Sequence, residues 1–110
     1  MTNVRLTRGA GERYALECEG HATGSPEMCA AISCLAGSLE GWAENSPDVE
    51  VQRLEVGPGR VEIAFRPAAW PGSDAACRGV YELLRAGFLR LEAAGPEFLS
   101  VKQEEKQEIP

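Results

Sequence analysis

Long hydrophobic runs are missing from this chain. No stretch approaches the ~20 consecutive apolar residues of a membrane span, and residues 1–6 hold no apolar segment of signal-peptide length. A cytoplasmic protein is expected. Basic charge is scarce too: 11 Lys and Arg stand against 17 Asp and Glu, a formal net charge of -6. Gripping nucleic acid through its phosphates needs a basic surface, so direct nucleic-acid binding is not expected. An acidic surface suits a basic partner instead. Paired C-x-x-C spacing is also lacking. Cys18, Cys29, Cys34 and Cys77 come without the ligand spacing of a zinc site, and a reducing cytosol keeps them as thiols rather than a disulfide framework. Neither metal nor cofactor is expected. Histidine is scarcest of all, since His21 is the only one.

What is present describes one domain of modest core, because 110 residues are too few for two domains of ordinary size. Val4 and Leu6 alternate with Arg5 and Thr7, and Tyr14, Leu16 and Cys18 with Ala15, Glu17 and Glu19. Two half-buried strands around the turn Gly9-Ala10-Gly11 make a hairpin. Met28, Ile32, Leu35, Leu39 and Trp42 then recur at steps of four and three, an apolar stripe on a helix. Ser25 before Pro26 marks its start, and Asn45-Ser46-Pro47-Asp48 its end. Val49, Val51, Leu54 and Val56 form a third strand whose alternation slips near Arg53, the mark of a bulge. Gly57-Pro58-Gly59 turns the chain into a fourth, with Val61, Ile63 and Phe65. A second helix buries Val80, Leu83, Leu84, Phe88 and Leu91, and residues 98–101 form a last short strand. Residues 102–110 read as a polar tail too hydrophilic to pack, leaving 1–101 as the domain.

The order ββαββαβ predicts an α+β fold: an antiparallel-rich sheet with both helices packed on one face. The other face must be polar or covered, and a second copy of the chain is one cover.

The segment 20–33 carries chemistry. His21 ends the strand that leads into the first helix, and Cys29 falls near that helix's first turn, where free N–H groups and the dipole favour a thiolate. A nearby imidazole takes the thiol proton or pairs with the thiolate. The seven intervening residues are long enough for the loop to reach back. Ala30 and Ala31 beside the sulfur leave room for a substrate backbone. Ser33, one turn on, shares the flank of Cys29, where its hydroxyl either orients a bound backbone or caps a carbonyl. Cys34 lies roughly 140° round the helix and does not share the site. Cys18 reads as core and Cys77 as inert packing. Trp42 belongs to the core stripe, while Trp70, in a Pro- and Gly-rich loop, is a loop anchor, a groove wall or a dimer contact.

With Gly20-His21-Ala22 and Cys29-Ala30-Ala31-Ile32-Ser33, the sequence resembles the ribosomal-processing cysteine proteases, often called Prp. Their hairpin ends in Gly-His-Ala and their first helix opens with Cys-Ala-Ala-Val-Ser or a close variant. The resemblance covers nearly the whole chain, including Gly87-Phe88 in the second helix. It implies a cysteine endopeptidase with Cys29 as nucleophile and His21 as base, and with Ser33, Ala30 and Ala22 beside the substrate. It further implies a homodimer whose substrate is a peptide, the N-terminal extension of a large-subunit ribosomal protein precursor. One departure stands out: the His-to-Cys step is eight positions against about twelve in that family, and Ser25-Pro26-Glu27-Met28 replaces a Gly-x-Asp element, which implies a reduced lid. A non-catalytic paralogue that binds a ribosomal protein or other peptide uncut is the alternative. A thiol-redox protein is disfavoured for want of a resolving cysteine near Cys29.

Overall fold

A computed structural model describes residues 1–22 and 24–106 of the protein. In chain order the elements are β1 (Thr2–Gly9), β2 (Arg13–Glu19), α1 (Pro26–Asn45), β3 (Val49–Gly57), β4 (Arg60–Pro67), α2 (Ser73–Ala94) and β5 (Leu99–Lys106). The strands form a five-stranded sheet in the order β3-β4-β2-β1-β5. β1 with β2, β2 with β4 and β3 with β4 are antiparallel, whereas β5 joins β1 in parallel. The fold is α+β, with an open, mixed sheet.

Alternation along the strands builds the core. Val4, Leu6, Tyr14, Leu16, Ile63 and Phe65 are all at most 2% exposed and share one sheet face. Upon them α1 lays Met28, Ile32, Ala36, Leu39 and Ala43, and α2 lays Cys77, Tyr81, Leu84 and Phe88. Trp42 is partly buried, with its ring edge-on to Phe65 at 5.6 Å. The helices touch where Gly87 lets Leu35 approach, since a Cβ there would lie 3.1 Å from the leucine methyls. Ser25 caps α1 through Met28 N–H, and Pro26 occupies its first turn. Ser46 closes that helix by donating to the Trp42 carbonyl. The slip expected near Arg53 is real: Val51 faces Phe65 and Arg53 faces Ala64, so Gln52 is the extra residue of a bulge.

Two expectations give way. Leu83 is not in the buried face of α2 but 74% exposed, and Tyr81 takes the inward place, ring to ring with Tyr14 at 4.8 Å. Steps from Cys77 to Tyr81, Leu84 and Phe88 turn the stripe away from Leu83. Nor is 102–110 an unpacked tail throughout. β5 continues through Lys102 to Lys106, paired residue for residue with β1 from Arg5 to Gly9, because ladder hydrogen bonds do not depend on side-chain polarity. Residues 107–110 lie outside the described residues.

The second sheet face is polar. Arg5 pairs with Glu17 and Glu104, and Glu62, its side chain only 10% exposed, lies between the guanidinium groups of Arg53 and Arg60. Ion pairs between side chains of neighbouring strands make this face polar. Among the described residues, no helix is long and apolar enough to cross a membrane.

Candidate active site

Three segments meet at one end of the sheet: the loop after β2, the first turns of α1 and the β3–β4 turn. Gly20 makes the bend that ends β2. It has φ of +94°, and a Cβ would stand 2.5 Å from the Met1 carbonyl oxygen, so both conformation and space require glycine. Its N–H donates to the Gly59 carbonyl at 2.9 Å, tying the loop to the β3–β4 turn. His21 follows at once. Its ring rests on Gly59, where a Cβ would lie 2.7 Å from Nε2.

Between these segments lies a half-open cleft of about 310 Å³. His21, Ala22, Cys29 and Ser33 all line it. Four of the five residues singled out in the sequence are thus brought together. The fifth, Ala30, is exposed on α1 outside the cleft lining. Ile32 and Ala36 extend the helix wall, and Gly57, Pro58, Gly59 and Arg60 form the facing one. That facing wall escaped sequence analysis. Its one signal was the Gly-Pro-Gly turn, which reads only as a turn until the sheet order places β4 beside β2.

The hydrogen bonds at the helix start limit what Cys29 can do. Its Sγ–H donates to the Ala22 carbonyl at 3.5 Å, and its N–H donates to the Ser25 carbonyl at 3.1 Å. The Met28 N–H is taken by the Ser25 hydroxyl at 3.2 Å, and Pro26 has no N–H. Of the first four helical positions, only Glu27 keeps an amide that proline and Ser25 have not claimed. Among the described residues, His21 makes no hydrogen bond to Cys29. The pair share a cleft without being engaged.

The other cysteines divide cleanly. Cys34 is exposed and away from the cleft. Cys77 is fully buried, with its thiol pushed up to about 11 by burial and then by the carboxylates of Asp48, Asp74 and Glu12. Burial pushes the Cys18 thiol up to about 12. Cys18 nonetheless lines the same cleft as Cys29, so a second thiol does stand near the first, but one that keeps its proton. A buried thiol at that pKa is a poor resolving nucleophile.

The cleft thus holds a histidine two residues beyond the end of β2 and a cysteine in the first turn of α1. No protein-family model matches the chain, and no curated protein sequence does. Solved structures do match. SMU.848 from Streptococcus mutans is 25% identical with a TM-score of 0.69, covering 96% of this chain and 95% of that one. The essential ribosomal processing protease Prp from S. aureus, in complex with a covalently linked product peptide, is 13% identical with a TM-score of 0.71, covering 94% and 99%. The same protease with a substrate peptide gives 14% and 0.64 over the same shares. Over 94% of its length the chain shares the fold of the ribosomal processing protease Prp.

Proposed function

We propose that the chain is a cysteine endopeptidase that trims the N-terminal extension of a large-subunit ribosomal protein in the cytoplasm. One observation carries the reading: the only histidine and the only cleft cysteine on a helix meet in one cleft, on a fold shared with a protease that holds peptides. His21 takes the Cys29 proton, and the sulfur attacks the scissile carbonyl carbon. The C–N bond breaks as His21 returns the proton to the leaving amine, and water then releases the acyl group from sulfur. The acidic chain complements a lysine- and arginine-rich ribosomal protein. Ser33 and Ala22 flank the reacting carbonyl, and a homodimer is the working assembly.

A second reading has its own support. Cys29 donates to Ala22 rather than to His21, and Ser25 occupies two of the amides that would hold an oxyanion. A paralogue that binds the same peptide without cutting it keeps the cleft and needs none of this to move. Incubating the protein and its Cys29→Ala form with the ribosomal protein precursor, followed by mass measurement, separates the two. Cleavage by the parent and none by the variant is expected. No cleavage by either, with Cys29 alkylated no faster than Cys34 at mildly acidic pH, leaves the binding protein.

A further inference from the structure

The two edges of the sheet are treated differently. β5 is blocked: Glu92 of α2 accepts from the Val101 N–H at 2.6 Å, and Arg85 donates to the Gln103 side chain at 3.1 Å. Such covers keep foreign strands from pairing with an edge. β3 has no such cover among the described residues. It pairs with β4 alone, so its outer flank presents backbone donors and acceptors with no strand beside them. Val51, Leu54 and Val56 stand opposite Phe65, Ile63 and Val61, on the helix side of the sheet, yet they are 37%, 38% and 55% exposed. The helices stop short of this edge.

On the helix beside the edge, charge is of one sign, while Arg53 of β3 lies on the opposite sheet face with Glu62. α1, which packs near β3, carries Glu27, Glu40 and Glu44 and no Lys or Arg among its 20 residues. From Cys29 and Ser33 the same helical flank runs on to Glu40 and Glu44, at steps of four, seven and four. Among the described residues neither Glu40 nor Glu44 forms an ion pair, whereas Glu17, Glu62 and Glu104 on the opposite sheet face are all paired. Glu44 also stands in the last turn, where the helix dipole disfavours a carboxylate.

We propose that the edge of β3 and the acidic flank of α1 together hold an extended peptide containing Lys or Arg, added as a strand to β3 and running into the Cys29 cleft. This rests on reading that cleft as a peptide site, and β3 ends in it at Gly57 and Pro58. Main-chain hydrogen bonds to the free edge hold the peptide in register. Its inward side chains lie on Val51, Leu54 and Val56, and an inward Lys or Arg lays its stem on that row with its charge toward Glu40 or Glu44. A second copy fits less well. Edge-to-edge pairing about a two-fold axis would bring two acidic α1 helices side by side on one sheet face.

The test uses the full chain as Cys29→Ala, so that nothing is cut, and a fluorescent peptide of alternating Val and Lys followed by anisotropy. Glu40→Lys with Glu44→Lys is expected to weaken binding about tenfold and to flatten its salt dependence. The charge-neutral pair Leu54→Ser with Val56→Ser is expected to weaken it by a similar factor, with circular dichroism unchanged. Equal binding of a Val and Glu peptide, or parent-like binding by both variants, overturns the proposal. So does sedimentation showing a dimer that the serine variant breaks while peptide binding is unaltered. Weakened binding in the variants, with no precursor cleavage by the parent protein, keeps the docking surface and sinks the peptidase reading alone.

Discussion

At Gly59 a hydrogen stands where any other residue would put a carbon 2.7 Å from Nε2 of His21, on a backbone with φ of +70°. The position is therefore doubly sensitive. Gly59→Ala is expected to lower stability by about 1 kcal/mol through backbone strain alone, and to move the imidazole off the turn. Thermal melts read the first effect and the His21 ring resonances the second. An unshifted ring in a variant that melts normally would show that the turn does not seat the histidine. Ser25 has a comparable reach, since its hydroxyl and carbonyl take the amides of Met28 and Cys29 and so decide which donors face the thiol.

Helix α2 shows how far periodicity goes at the scale of an element. Val80, Leu83, Leu84, Phe88 and Leu91 fit a helical stripe, and four of the five do face the core or its margin. Leu83 sits about 100° from Leu84 and falls on the solvent side. Leu83→Lys is accordingly expected to change stability by no more than ~0.5 kcal/mol, whereas Leu84→Ala should cost about 2–5 kcal/mol. Urea melts of the two variants compare them directly, and equal losses would overturn this placement of the stripe. β5 marks the opposite failure of pattern. Its second half is Lys, Gln and Glu, so nothing in its polarity announces a strand, and only the β1 ladder makes it one.

For the whole molecule, burial sets the response to alkali. Cys18 and Cys77 are raised from 9.0 to about 12 and about 11, and Tyr14, buried and hydrogen-bonded to Glu12, from 10.0 to about 12. Each folded pKa exceeds its unfolded value, so the native state keeps protons that the unfolded chain loses. Their contribution is whole below about pH 9 and is lost as the pH rises through the folded values. Melting temperature should fall steadily across that window, and less steeply in Cys18→Ala. A parallel decline in both proteins would remove Cys18 as a cause. By itself, the sequence determined the α+β order, the Ser25 cap, the bulge near Arg53 and the placement of His21 and Cys29 on one cleft, because caps, alternation and short loops are local. Only the tertiary structure decided that Gly57 to Arg60 face the thiol, that β5 pairs with β1 through Lys106, and that Cys18 opens on the same cleft as Cys29. These depend on which strands lie side by side, and strand order is set by the packing of the whole sheet against two helices rather than by any one segment's pattern.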